Sequence, residues 1–322
     1  MDDSITYLKV MITLDPILVT APSVPDEVTL SSVRREDRDI SLYARKWLLG
    51  VKAANQVTAR RQYKLFGADS QGCHVFVGRY LTPQRPPAGF ESRRSCVHLV
   101  SSIPFMKDGQ SFVGSFDLWC NSKEFWEIGA GDEEEHAVQL FNYLYFLSLR
   151  KRTALEDSID ICLRESVFLV LGKAVPEGDT VYVMMRDGAR SETAADPWRA
   201  DNFMLINPCT GFMYSAMDPN GPIRDIQMLF TPSNAWANLQ VAERPAQLSF
   251  NLLDPSCWRP FFGHRLPLPP GGLTPIQPAV EYIETSPGYA LEVEKSLTQT
   301  LRNTVRRWRS RRHRSLWQWM DG

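Results

Sequence analysis

A nearly continuous apolar stretch constrains the fold of this chain more than any other feature. Gly131–Leu149 reads GDEEEHAVQLFNYLYFLSL and is apolar on almost every side after its acidic beginning. A helix with that pattern is buried on several faces. Asp132 suits the N-cap, Glu135 completes a capping box three residues later, and acidic side chains favour the positive end of a helix dipole. The sequence therefore predicts a central core helix with an acidic N-terminus.

The composition allows one large domain or two modest ones and excludes several classes of function. The 322 residues are 43% hydrophobic and 23% charged, and a net charge of −1 gives no global signal for nucleic-acid binding. The six cysteines are scattered without a CxxC pair, which indicates reduced thiols in the cytosol. No apolar run reaches the length of a membrane span, and MDDSITYLKV does not resemble a signal peptide. We therefore expect a cytosolic globular protein.

Four segments are predicted along the chain. Residues 1–20 contain a strand, 21–60 a linker and an amphipathic helix, 61–290 the main domain, and 291–322 a basic amphipathic C-terminal helix. The main domain begins with a hairpin around residues 67–72, followed by the central helix and a series of strands. The predicted strands after the helix are Val167–Lys173, Thr180–Met185, Phe203–Ile206, Met213–Ala216, Ile226–Phe230 and Ala235–Val241. A helix followed by an antiparallel meander predicts an α+β fold.

The C-terminal segment carries a concentration of positive charge. Lys295–Met320 contains eight cations and no acid, which leaves −9 on the rest of the chain. Leu297, Leu301, Val305 and Trp308 form an apolar stripe at helical spacing. Two interpretations remain open: the stripe docks on the acidic body, or the helix binds an anionic membrane, nucleic acid or an acidic protein tail. The candidate binding residues are Arg302, Arg306, Arg307, Arg309, Arg311, Arg312, Arg314 and Trp308.

Seven motifs distributed along the chain resemble one protein family. GDEEEHA, VLGKAVPEG, INPCTGFMY, SNAWANLQ, CWRPFFG, RYLTPQRPP and SFVGSFDLW look like the C-terminal region of ciliary coiled-coil and C2 domain-containing proteins. The resemblance runs from about Tyr7 to Trp317. It implies that residues 1–20 are the last strand of a C2-type β-sandwich, and that residues 61–290 form a degenerate transglutaminase-like, papain-like domain. Segment 150–164 is longer than the corresponding step in the family.

The same resemblance implies where the chain acts and with which proteins. It implies a non-catalytic scaffold on the cytoplasmic side of the base of a cilium or flagellum, at the transition zone or basal body. The implied partners are other transition-zone proteins of the Meckel/Joubert complex, including tectonic-type proteins. No cofactor, small-molecule substrate or specific nucleic acid is expected.

The family resemblance also assigns the positions of a catalytic triad. In the active fold a thiolate attacks, a histidine accepts its proton and an aspartate orients the histidine. Gly131 and Ala137 fit the spacing Gly-x-Cys-x-x-x-Ala, which puts Glu133 at the cysteine position. By the same resemblance Thr180 replaces the histidine and Asn207 replaces the aspartate. A carboxylate replaces a thiolate poorly, and threonine accepts no proton near neutral pH, so we expect a pseudoenzyme.

Two other kinds of chemistry were weighed at the same helix. A thiol hydrolase or transglutaminase would need a rearranged pair, such as Cys120 or Cys209 with His136 or His264, but no spacing supports one. Metal binding by the acids at 132–134 with His136 is not expected, because successive helical side chains point in different directions. As a scaffold, the former cleft is expected to hold an extended peptide. Its acids would repel acidic tails, which would then bind the Arg-rich terminus.

Overall fold

The computed structural model describes five stretches of the chain, which are residues 37–108, 117–152, 167–186, 198–282 and 286–312. The chain divides into two compact units, residues 1–278 and residues 279–322. The C2 strand expected in residues 1–20 lies outside the described residues, as does most of segment 150–164.

Two short helices begin the first unit, α1 (Arg38–Lys52) and α2 (Gln56–Arg60). The buried side chains of α1 recur at helical spacing and are Ile40, Ala44, Trp47 and Val51. This is the stripe that the sequence predicts for an amphipathic helix. Trp47 Nε1 donates to the carbonyl oxygen of Pro260 at 2.9 Å, and its ring meets Phe261 edge-on. The first helix is thereby fixed to the last strand of the large sheet.

A hairpin and two helices precede the central helix. Strands β1 (Phe66–Ala68) and β2 (His74–Phe76) pair antiparallel, which confirms the predicted hairpin. Helices α3 (Arg93–Ser101) and α4 (Ser122–Ile128) follow, each with a reciprocal capping box at its start. Gly129 ends α4 in the left-handed conformation, at φ 70°, which glycine adopts without a steric penalty.

The central helix, α5, spans Glu133–Arg152 and packs against α3, α4 and two strands of the sheet. The side chains of its first three turns are almost completely buried and include Ala137, Val138, Leu140, Phe141, Tyr143 and Leu144. The prediction of a helix buried on several sides is confirmed. Such a helix is held by its packing on all faces rather than by one apolar stripe.

Seven strands form one antiparallel sheet in the order β6-β5-β4-β3-β7-β8-β9. They are β3 (Val167–Ala174), β4 (Gly178–Arg186), β5 (Phe203–Ile206), β6 (Met213–Ser215), β7 (Ile223–Phe230), β8 (Ala235–Asn238) and β9 (Trp258–Pro260). The meander is as predicted from β3 to β6, but β7 returns to pair with β3 instead of continuing beside β6. β6 spans only three residues, whereas β3 offers β7 an eight-residue edge.

Both faces of this sheet are covered. Alternate residues of the central strands, such as Phe168 and Val170, join a buried cluster with Phe250 and Trp258. That cluster includes no described residue of α5. Because β3 is buried almost without interruption and α5 packs on β3 and β4, the helix covers the opposite face. The α+β prediction of a buried helix on an antiparallel sheet is confirmed.

The second unit consists of one long helix among its described residues. Helix α6 spans Pro287–Arg312 and carries exposed apolar side chains along its length. Neither α6 nor any other described helix combines the length and apolar character required to cross a membrane.

Candidate functional site

The acidic start of α5 is a closed set of hydrogen bonds to the backbone. The Asp132 amide donates to Glu135 Oε2 at 3.0 Å, and the Glu134 amide donates to Asp132 Oδ1 at 3.1 Å. The second oxygen of Glu135 accepts from the amide of Cys120 at 2.9 Å. The predicted capping box is confirmed, and Glu135 also ties the preceding loop to the helix.

Burial raises the pKa values of these carboxyl groups. The pKa of Asp132 rises to about 9, first because of desolvation and then because Glu135 lies beside it. Desolvation also raises the pKa of Glu135 to about 7 and that of Glu134 well above its ordinary value. Lys64 compensates in part, since its ammonium lies 3.8 Å from Glu134 and also contacts Asp117. At neutral pH the cluster therefore retains protons between neighbouring carboxyls.

The acidic side chains come closer together than successive helical positions suggest. Oxygens of Asp132, Glu133 and Glu134 lie within 4.8 Å of one another, as do oxygens of Asp108, Asp132 and Glu135. The expectation that these acids diverge is wrong, because Asp132 is the N-cap and its side chain folds over the first turn. Backbone amides already occupy oxygens of Asp132 and Glu135. The convergence is accounted for by capping, and His136 has no part in it.

His136 is placed where it cannot readily act as a base. Its side chain is fully buried, Nδ1 lies 2.7 Å from the carbonyl oxygen of Asp132, and Nε2 lies 3.1 Å from that of Ile103. Both ring nitrogens therefore face backbone acceptors, and neither presents a free lone pair to a thiol.

The NPCTG turn lies beside the start of α5. Cys209 Sγ is 3.9 Å from the Asp132 carbonyl oxygen, and burial together with the charge of Glu133 raises the pKa of this thiol. Sequence reasoning placed Glu133 at the helix start, and the structure brings Cys209 to the same place. A thiolate that is buried beside acidic side chains is disfavoured, which is the opposite of what a nucleophile needs.

Asn207 and Thr180 differ in the hydrogen bonds that their side chains make. Asn207 Nδ2 donates to the hydroxyl of Tyr182 at 2.7 Å and to Glu177 Oε1 at 3.1 Å. Thr180 pairs with Gly172 of β3, and no hydrogen bond to its hydroxyl is present among the described residues. Val183 pairs with Ile206, so Tyr182 and Asn207 lie one step beyond that pair. Only the register between β4 and β5 could have identified Tyr182 as the hydrogen-bond partner of Asn207.

Two of the other described thiols, Cys96 and Cys120, are also unsuited to nucleophilic chemistry. Cys96 donates to the Phe90 carbonyl oxygen at 3.0 Å, and burial raises its pKa to about 12. Burial and nearby acids raise the pKa of Cys120 further. Both thiols are buried and behave as small apolar side chains. Within the described residues, no hydrogen bond joins His264 to either thiol.

An open cleft of about 410 Å³ lies elsewhere in the first unit. Its walls include Asp69, Trp119 and Ile276, which come from three separate segments of the chain. Tyr80 and Trp119 also line the cleft. The hydroxyl of Tyr80 and Nε1 of Trp119 are buried, and neither has a hydrogen-bond partner in the described structure. None of the three triad positions lines this cleft, so the open volume and the degenerate site are separate features.

The candidate basic surface lies on α6. The described side chains Arg306, Arg307, Arg309 and Trp308 are exposed, and Arg302 is half-buried. Side chains of Arg311 and Arg312 fall outside the described residues, and so does Arg314.

Part of the first unit is similar to a described protein family. Residues 117–261 match the family described as the CEP76 peptidase-like domain. This region contains α4, the central helix α5 and all seven strands of the large sheet. Helices α1, α2 and α3 precede it. The description of this family agrees with the expectation of a peptidase-like fold.

Two coiled-coil and C2 domain-containing proteins are similar to most of the chain. Protein CC2D2B of Homo sapiens is 25% identical over 264 residues, which are 77% of this chain and 16% of the relative. Coiled-coil and C2 domain-containing protein 2A of Drosophila melanogaster is 25% identical over 254 residues, which are 77% of this chain and 17% of the relative. The resemblance to this family is confirmed, and the chain spans about a sixth of the length of these relatives.

Among solved structures, calcium-bound LapG of Legionella pneumophila resembles the chain distantly. The TM-score is 0.31 at 10% identity, and the match covers 52% of this chain and 77% of that one. A likeness of this size adds no argument about function.

Proposed function

We propose that the chain is a non-catalytic, protein-binding domain of a ciliary scaffold, built on a peptidase-like fold. One observation carries the proposal: carboxyl groups bonded to backbone amides occupy the first turn of the central helix. In an enzyme of this fold the same turn would present a thiolate to an oxyanion hole. Here the amides of Asp132 and Glu134 already have intramolecular acceptors, so these two are not available to a substrate oxyanion.

The thiol and imidazole groups around this turn support the same proposal. Cys209 is the described thiol at the helix start, and burial beside Glu133 favours its protonated form. His136 directs both ring nitrogens to backbone carbonyl oxygens. A cysteine and a histidine act as a catalytic pair only when the imidazole contacts the thiol, and no such contact is present in the described part of the chain.

Thiol reactivity tests this proposal. The full chain is treated with iodoacetamide at pH values from 6 to 9, and the labelling rate of each cysteine is followed by peptide mass spectrometry. We expect Cys209, Cys96 and Cys120 to label more slowly than glutathione at every pH, because burial raises the pKa of each thiol. Denatured protein provides the control in which all cysteines label at one rate.

The rival function is a thiol hydrolase or transglutaminase with a rearranged site at Cys209. A cysteine that labels faster than glutathione at pH 6 would contradict the pseudoenzyme proposal and support this rival. Loss of that fast phase in Cys209→Ser, with its retention in Cys120→Ser, would assign the nucleophile to Cys209.

The ciliary location rests on similarity to the coiled-coil and C2 domain-containing proteins. We expect a fluorescently tagged chain to concentrate at the base of the cilium in a ciliated cell, on its cytoplasmic side. The partners proposed there are other transition-zone proteins of the Meckel/Joubert complex, of the tectonic type. A uniform cytoplasmic distribution in ciliated cells would contradict the location without affecting the pseudoenzyme proposal.

A further inference from the structure

Helix α6 exposes an unusual amount of apolar surface for a charged helix. The exposed fractions of Leu297, Leu301 and Trp308 are 58%, 64% and 65%. Isolated exposed leucines are common in globular proteins, whereas several on one side of a helix mark a surface that something else covers.

These side chains share one side of the helix. With 3.6 residues per turn, Leu297, Leu301, Val305 and Trp308 fall within an arc of roughly 80°. Within the same projection, Lys295 and Arg306 lie roughly opposite, at about 160–180° from Leu297. From Lys295 to Arg309 the helix is thus amphipathic, with an apolar face and a cationic face, whereas the preceding Glu294 lies at about 60° from Leu297, within the apolar arc.

The charge of this helix selects its partner. From Lys295 to Arg309 there are five cations and no acid, namely Lys295, Arg302, Arg306, Arg307 and Arg309. Two such helices from separate copies would repel each other, which disfavours a second copy of this chain on the apolar face. The partner must therefore combine negative charge with an apolar layer.

An anionic membrane surface supplies both properties. Its headgroups attract the arginines, and its acyl boundary receives the leucines to a depth of about 5–10 Å. Tryptophan favours this boundary because its ring is apolar and its N–H is polar. An acidic protein tail would satisfy the arginines but leave Leu297, Leu301 and Trp308 in water. The need to cover both faces of the helix favours a lipid surface over an acidic protein tail as the partner.

We propose that α6 is an interfacial helix that lies on an anionic membrane surface through Leu297, Leu301, Val305 and Trp308. The surrounding arginines bind lipid headgroups and set the preference for anionic membranes. This function goes beyond the scaffold function proposed above, and it holds or fails independently of thiol chemistry.

Vesicle binding by the full chain tests the proposal. The protein is sedimented with phosphatidylcholine vesicles, with or without phosphatidylserine, at low and at physiological salt. We expect binding only to the anionic vesicles, and weaker binding as salt rises, because screening weakens the attraction of the arginines.

Three variants separate the contributions of the two faces. Leu297→Gln with Leu301→Gln removes half of the apolar face, and Arg306→Glu with Arg307→Glu reverses two cations. Each pair is expected to weaken binding to anionic vesicles by about tenfold or more. Leu291→Gln is the matched control, since Leu291 is 51% exposed on the same helix but precedes the basic segment. It should bind within about twofold of the original chain.

The depth of Trp308 provides a second readout. Brominated lipids quench tryptophan fluorescence only at the acyl boundary, and we expect the quenching to fall in Trp308→Phe. Binding that persists without this quenching, or that is unchanged by the leucine pair, would overturn the proposal in favour of surface charge alone. Equal binding to an acidic peptide such as polyglutamate, or no binding to anionic vesicles at low salt, would overturn it as well.

Discussion

The buried charges of the first unit and the exposed charges of α6 obey different rules. Arg61 is 4% exposed and Glu135 is also 4% exposed, and each of their side chains is matched to named backbone groups. On α6, arginines of the same chain lie in solvent beside exposed leucines. A buried ion is tolerated only with its hydrogen bonds made, whereas an exposed ion costs little without them.

This contrast separates structural charge from charge that is available for binding. Around the start of α5, the acidic side chains cap the helix, share protons with one another and attach the preceding loop. Along α6, cationic side chains lie beside exposed apolar side chains of the same helix. The acids of α5 are therefore a poor place to look for a ligand, although they are the most conspicuous motif in the sequence.

The largest effect is expected where a buried ion is removed. Arg61 contacts the Asp225 carboxylate through Nε at 3.0 Å and through Nη2 at 2.8 Å. Its guanidinium also donates to the carbonyl oxygens of Asn238, Gln240 and Ala242. Arg61→Met leaves the Asp225 carboxylate without its guanidinium partner and removes one donor from each of these carbonyls, of which that of Asn238 keeps the Tyr63 hydroxyl. We expect a loss of about 3–5 kcal/mol in the free energy of unfolding, measured by urea denaturation.

Arg60→Met is the control for this change, because Arg60 is the exposed neighbour in the same helix. It should alter the free energy of unfolding by no more than about 0.5 kcal/mol. Equal losses for the two variants would mean that the helix, and not the buried ion, determines the stability.

A smaller loss is expected where a buried acid keeps its shape but loses an acceptor. Glu135 accepts from two amides, one on each oxygen, at Cys120 and Asp132. Glu135→Gln turns one oxygen into an NH2 that faces an amide donor. We expect a loss of about 1–3 kcal/mol by urea denaturation. The exposed Glu127→Gln should leave stability unchanged, and an unchanged Glu135→Gln would show that the capping box contributes little.

Local patterns predicted most of the elements and the capping box, but not the contacts between distant residues. The apolar run at Gly131–Leu149 and the apolar strand at Val167–Lys173 depend on neighbours within a few positions, and both are confirmed. The return of β7 to β3, and the pairing that puts Tyr182 beside Asn207, depend on register between strands far apart in sequence. No local pattern specifies that register.

Arg61 was missed for a related reason. In the segment TARRQYKLF, Arg61 and the exposed Arg60 look alike, since burial depends on Asp225 and three carbonyls that are more than 160 residues away. Charge in a sequence is ordinarily a sign of exposure. The acids of the capping motif were found because their partners are adjacent in the chain.

The raised pKa of Asp132 predicts a specific pH dependence. The folded-state pKa of this carboxyl is about 9, and its ordinary pKa is 3.8. Its contribution to the free energy of unfolding is therefore complete only below pH 3.8, where both the folded and the unfolded chain hold the proton. That contribution shrinks as pH rises and is gone above about pH 9, because the unfolded chain releases the proton first. The free energy of unfolding should therefore fall by up to about 1.4 kcal/mol per pH unit between pH 7 and 9.

Asp132→Asn tests this sign directly. The amide retains an oxygen for the Glu134 N–H, donates to Glu135 in place of the shared proton, and does not ionise. We expect its urea midpoint to change less between pH 7 and 9 than that of the original chain. Parallel pH profiles would assign the alkaline loss to another group.

The smallest effect on stability is expected on α6, and it sharpens the contrast with Arg61. Arg306→Glu with Arg307→Glu reverses two charges, more than Arg61→Met removes, yet both side chains are exposed. Because water solvates either charge, the free energy of unfolding of the first unit should change by no more than about 0.5 kcal/mol in urea. The same pair is expected to weaken binding to anionic vesicles by about tenfold, so that stability and binding separate in one variant. A loss of several kcal/mol would instead mean that these arginines are structural, like Arg61, and that α6 is docked through them.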